Sequence, residues 1–162
     1  MRATTGWWRI LSLEEARACR TNGCDEVGRV ERYHPFLAKW FFGPDGNPDE
    51  VYKAAVKKRF VQWVSDLCRR ERDQAWLDYQ EEIGLRHTPA KKNKTEEAHT
   101  PDVVPLRYVW AFAGPVIGGA REFLASKSHS ATEVERMHQA WAKSVLLTLT
   151  LWARPYVKDG LW

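Results

Sequence analysis

Apolar residues recur along this chain at spacings of three and four, and no stretch alternates long enough to propose a strand. That period puts the apolar positions on one side of a helix, so an all-α chain is expected. Ser12-Leu13-Glu14-Glu15 has the form of a capping box and predicts a helix that ends before Gly23. A second, short helical stretch is expected over about Glu26 to Tyr33, stopping near Pro35. Residues 36–42 are apolar and aromatic, and Gly43-Pro44-Asp45-Gly46-Asn47 reads as the turn that closes them.

A strong start signal follows, with Asn47 as cap, Pro48 in the first turn, and Asp49 and Glu50 where the helix dipole is positive. This helix is predicted to run to about Arg70, with Tyr52, Val56, Phe60, Trp63, Val64 and Leu67 on one broad apolar face. The next begins around Asp73, and Trp76, Tyr79, Ile83 and His87 step along it by three, four and four until Pro89 stops it. Thr88 to Val104 is a polar loop, long enough to be functional or mobile. Pro105 to Ser126 is expected as one helix kinked at Pro115, with Leu106, Val109, Phe112 and Val116 among its inward residues. The last helix opens on a second capping box, Thr132-Glu133-Val134-Glu135, continues through Trp141, Val145, Leu149 and Trp152, and halts before Pro155. With no internal repeat, residues 1–162 are expected to form one domain.

Composition changes this picture at one point, the nine tryptophans. Each large aromatic can bury about 150–250 Å², so the chain has the means to line a large flat pocket, although an aromatic-rich core is the plainer reading. The net charge of +4 is spread along helices beside acidic residues, as in Lys53 to Arg59 and Arg69 to Asp73. That distribution argues against nucleic acid, whose binders gather positive charge on one face. No apolar run reaches about 18 residues, so no membrane span is expected. Trp7-Trp8-Arg9-Ile10-Leu11 is too short and interrupted for a signal peptide. Cys19, Cys24 and Cys68 are odd in number and lack CxxC spacing, which predicts reduced thiols in a cytoplasmic protein.

Among the five histidines, His34 precedes a proline, His99 lies in the polar loop, His129 precedes the last helix, and His138 edges its apolar stripe. His87 alone ends an aromatic face and adjoins a long loop. Zinc would need three or four ligands at defined spacing, and no such cluster is present, whereas haem iron needs only one protein ligand. A lone histidine is more often structural, so both readings stay open at this point. With no CxxCH run, any haem would be held by ligation and packing alone. Gly114-Pro115-Val116-Ile117-Gly118-Gly119 follows no strand and matches neither GxGxxG nor a P-loop, so its glycines are expected to permit close helix packing. Asp78, Glu81 and Glu82 read as a solvated helix face.

Residues 73–87, Asp-Gln-Ala-Trp-Leu-Asp-Tyr-Gln-Glu-Glu-Ile-Gly-Leu-Arg-His, closely resemble the proximal helix of protoglobins, relatives of globin-coupled sensor domains. Further segments agree in order: His34-Pro35, Pro44-Asp45-Gly46, Lys58-Arg59-Phe60, Lys91-Lys92-Asn93 with Thr95, Arg107-Tyr108 with Ala111-Phe112, Gln139-Ala140-Trp141, and Leu151-Trp152 through Pro155-Tyr156-Val157-Lys158. The resemblance implies a globin-like helical sandwich of the protoglobin type over residues 25–162, with residues 1–24 divergent. It further implies that His87 is the proximal ligand of a haem b iron, that Phe60 lies over the opposite haem face, that Phe112 packs against the haem, and that Arg59 lies near a propionate. Tyr79 and Ile83, Val56 and Trp63, and Tyr108 complete the expected haem-contacting set.

The sequence departs from the family at its start. The Trp-Tyr pair that protoglobins place before His34 aligns with Val27 and Gly28, which would remove the hydroxyl that hydrogen-bonds bound oxygen. Such a loss is worth about 1–3 kcal/mol. Either Trp7 and Trp8 cap the open haem edge, or the start of the chain is incomplete. The expected function is reversible binding of O2, CO or NO, as a sensor or scavenger with no length left for an output domain. Two alternatives remain: a haem enzyme acting on NO or peroxide, and a helical interaction module without haem. A homodimer through the final two helices is implied by family analogy alone.

Overall fold

The computed structural model describes residues 39–157. The two helices expected before Pro35 lie outside the described residues, as do Trp7, Trp8, Val27 and Gly28. Among the described residues the architecture is all-α without strands, and an isolated bridge pairs Phe42 with Pro48. A 3-10 turn at Lys39–Phe41 leads in, and the turn at residues 43–47 follows it. There Gly46 takes a positive φ of 75°, and Asp45 accepts hydrogen bonds from the Asn47 backbone and side chain.

Because Asn47 is spent on that turn, it does not cap the first long helix, as its position after the turn had suggested. Helix α1 spans Glu50–Arg69, and Asp49 caps it by accepting from Tyr52 N at 2.9 Å. No glycine ends α1. Instead the Arg72 guanidinium donates to the Leu67 and Arg70 carbonyls at 2.8 and 2.9 Å, satisfying oxygens that a helix end leaves unpaired. Helix α2 spans Gln74–Leu85, capped by Asp73, which accepts from Trp76 N at 2.8 Å.

Residues 86–105 contain no helix. They are followed by α3 at Leu106–Ala111 and α4 at Ala113–Ala125. The expected single helix is therefore divided at Phe112, earlier than the predicted kink at Pro115. A proline ring strikes the carbonyl four residues before it and lacks an N–H for it. That carbonyl belongs to Ala111, the last residue of α3. Helix α5 spans Ala131–Ala153, and its capping box joins Ser130 to Glu133 rather than Thr132 to Glu135. Two S/T-x-x-E registers overlap here, and the earlier one starts the helix. A 3-10 turn at Arg154–Tyr156 closes the described chain.

Helix α5 packs against α2, α3 and α4. Two long side chains of α5 tie it to α4: Trp141 Nε1 donates to Val116 O at 3.0 Å, and His138 Nε2 lies 3.0 Å from Ile117 O. The main core gathers Trp63, Leu67, Trp76, Val145, Leu149 and Trp152. Against α2, the approach is closest at Gly84, where an added Cβ would sit 3.0 Å from Trp152 O and 3.1 Å from its Cα. At Gly114 and Gly118 an added Cβ would meet nothing within 4 Å, so close packing is not their role.

These glycines give opposite expectations. Gly84→Ala pushes one helix backbone into another and should lose about 1–3 kcal/mol of stability, less what the better helix former returns. Gly118→Ala should gain about 0.5–1 kcal/mol. Urea unfolding of both variants checks this, and equal gains would contradict the α2–α5 contact.

Candidate functional site

His87 lies just beyond α2, where the helix has already ended at Leu85. Its Nδ1 is 2.8 Å from the Ile83 carbonyl. A carbonyl only accepts, so Nδ1 carries the proton and Nε2 keeps an unshared lone pair. The ring stacks on Trp152, with centroids 5.5 Å apart and planes inclined by 26°. The backbone is held as well: His87 O accepts from Val104 N at 2.9 Å, and the Tyr156 hydroxyl lies 3.1 Å from His87 O and 2.6 Å from Val104 O. Burial pushes the His87 pKa down to about 4; the Ile83 carbonyl opposes this, while the Lys92 and Arg59 charges add to it. The imidazole is therefore neutral at neutral pH.

An unbroken series of ring contacts leads away from His87. Trp152 lies 5.2 Å from Trp63, Trp63 lies 5.5 Å from Phe60, and Phe60 meets Phe112 edge-on at 5.6 Å. Trp63 also lies 6.2 Å from Trp141. The structure thus brings together His87, Trp63, Phe60 and Phe112 through Trp152, which sequence reasoning had placed in a helix stripe without a role at the site. Ile83 is half-buried against the same core, and Val56 is half-buried one turn before Phe60. Two tyrosines of the expected set make their ring contacts elsewhere. The Tyr108 ring lies 4.9 Å from Trp40, tilted by 50°, and Tyr79 sits under the Arg70 guanidinium at 4.8 Å. Burial, with Asp66 beside it, pushes the Tyr79 pKa up to about 12.

Positive charge gathers beside His87. Arg59 is half-buried and ion-paired with Glu96 from the long loop, and burial and the nearby Arg86 charge lower its pKa. Lys92 is only 5% exposed; its Nζ donates to Asn93 Oδ1 and Thr100 Oγ1, each at 2.8 Å, and lies 4.6 Å from the Tyr52 ring centroid. Burial and Arg59 push its pKa down to about 8. Cations crowded this way favour an anionic group among them.

Among the described residues no three His, Cys, Asp or Glu side chains group to hold a metal ion. One neutral ring nitrogen would have to serve a metal that brings its other donors with it. A haem does so, and the residues fit it: a lone pair for iron, aromatic faces for the macrocycle, and cations for its carboxylates. Two buried donors in this region, Trp63 Nε1 and Gln80 Nε2, have no hydrogen-bond partner among the described residues. Gln80 carried no signal in the hydrophobic pattern, because the buried line of α2 runs through it and Gly84. Lys92 and Tyr156 carried no such signal, because their burial depends on loop and C-terminal contacts.

A family model described as Protoglobin matches residues 29–162, well over half of the chain. No curated protein matches it.

The depressed His87 pKa has a signed consequence in the haem-free protein. Below its ordinary value of 6.5 the unfolded chain binds a proton that the folded ring resists until about pH 4. The unfolded state then holds more protons, so stability rises with pH across that window and falls as acid is added. Unfolding free energies measured between those limits should show this slope, and His87→Gln should flatten it. An equal slope in the variant would contradict the half-buried, neutral imidazole.

Proposed function

Because the chain belongs to the protoglobin family, we propose that it holds haem b on His87 and reversibly binds O2, CO or NO as a sensor or scavenger. The family implies a haem cofactor and gas ligands such as O2. The observation that carries the assignment to His87 is the Nδ1 contact with Ile83 O at 2.8 Å. Histidines that ligate metals regularly donate the other ring N–H to a carbonyl or carboxylate, which fixes the tautomer and raises the basicity of the ligating nitrogen. When bound, haem would supply an iron able to take up a diatomic gas, with His87 as the residue that would hold it.

The roles of the other residues follow from chemistry. Phe60 and Phe112 offer flat apolar surfaces, and Trp63, Val56 and Ile83 extend the wall that keeps water from the site. Tyr79 and Tyr108 belong to the outer part of this set. Arg59 would exchange Glu96 for a propionate, with Lys92 and Arg86 adding to the positive field, and guanidinium–carboxylate bonds are among the stronger hydrogen bonds. Leu146 and Leu147 are 44% and 48% exposed on α5, which supports a homodimer through the last two helices. No helix of the described residues is long and apolar enough to cross a membrane.

Titration with hemin tests the reading. The wild-type chain should take up one haem with a sharp Soret band. His87→Gly should lose affinity by more than about 100-fold, since even the partners of metal ligands cost 10–100-fold, and added imidazole should restore the spectrum. A wild-type Soret band in His87→Gly without imidazole would sink the assignment.

A further inference from the structure

Gln80 sits on the buried side of α2, two turns before His87, with 0% of its surface exposed. Its Oε1 accepts the Trp152 indole N–H at 2.9 Å. The indole nitrogen can only donate, so this contact fixes which way the amide points. The other end, Nε2, is left buried without a partner among the described residues. An unmet buried donor is costly, a cost that an apolar side chain of the same length would not carry. The distinct contribution of an amide at this position is therefore its oxygen, directed at Trp152.

Trp152 is held at several points. Its backbone is pressed against Gly84, its ring meets Trp63 at 5.2 Å, and its indole N–H is bound by Gln80. The indole stacks on the His87 imidazole, with centroids 5.5 Å apart and planes inclined by 26°. The Nδ1 contact with Ile83, together with the covalent bond at Cγ, limits that imidazole to the small swing that one hydrogen bond tolerates. A stacked indole blocks the swing.

We infer that Gln80 is a positioning residue: by holding the Trp152 indole, it sets the plane of the His87 ring and so the direction of the Nε2 lone pair. The consequence for iron rests on the haem reading given above, whereas the positioning is a property of the polypeptide. A ligand nitrogen turned off the iron axis binds more weakly, so the same amide would tune the iron–histidine bond from two shells away.

The test compares Gln80→Met, which keeps the length and removes the acceptor, with Gln80→Glu, which keeps an oxygen on the indole N–H. NMR of the haem-free chain reads the upfield ring-current displacement of the His87 ring protons and the exchange protection of the Trp152 indole N–H. In Gln80→Met the displacement should shrink and protection should fall by about tenfold, the loss of one hydrogen bond. Gln80→Glu should restore both, and in a Trp152→Phe background Gln80→Met should have no further effect on His87. After hemin loading, the ferrous iron–histidine Raman band should shift in Gln80→Met and return in Gln80→Glu. Should Gln80→Met fail to fold, Gln80→Asn withdraws the same oxygen by one methylene. Unchanged His87 shifts beside a freely exchanging indole would overturn the inference. If the His87 shifts move as expected but no hemin is taken up, the positioning stands and the haem reading falls.

Discussion

The hydrogen bond between His87 Nδ1–H and the Ile83 carbonyl decides which ring nitrogen is left with a lone pair, and α2 exists in a form that makes it possible. The last carbonyls of a helix lack N–H partners. Ile83 O, in the final turn of α2, accepts from Arg86 N at 3.1 Å and keeps capacity for the imidazole. Had the helix run on regularly through residue 87, the Ile83 oxygen would have been engaged by the backbone N–H of His87. That amide bonds instead to Gly84 O at 3.0 Å, because the chain tightens as it leaves the helix.

Electrostatics around this bond run against the usual preference for dispersed surface charge. Lys92 is buried beside Arg59, and both act on His87. Burying two cations near each other is costly unless they are compensated. The protein offsets part of the cost with Glu96 on Arg59, with the Tyr52 ring under Lys92, and with the Asn93 and Thr100 oxygens. The long loop is therefore more than a connection. It carries the counter-charge, the buried lysine and the Val104 amide that grips the His87 carbonyl.

Much of this was legible in the chain itself. The period of the apolar residues places α1 and α5 within a residue or two of their observed limits, because each has a broad buried face and a polar cap nearby, whereas α2 ends at Leu85, short of the His87 expected on it. Caps were harder to read, since Asn47 and Asp49, or Ser130 and Thr132, offer the same chemistry at competing positions. Tertiary context decides between them, and in the first case the turn claims Asn47. Along α2 the buried line passes through Trp76, Gln80 and Gly84, with Tyr79 turned toward Arg70. A polar and a glycine residue hide such a line from hydrophobicity, and only contact with Trp152 explains them. Lys92 stood in one of the resembling segments, but its burial was not legible, because that burial comes from loop closure and no periodic pattern records it.

In the proposed complex His87 ligates iron through Nε2 while Nδ1 stays on the Ile83 carbonyl. A crystal structure of the hemin-loaded protein tests it most directly. The iron is expected on Nε2 of His87, with the Nδ1–Ile83 contact preserved and Trp152 still stacked on the ring. An iron bound by another residue, or by His87 through Nδ1 with the Ile83 bond broken, would contradict it.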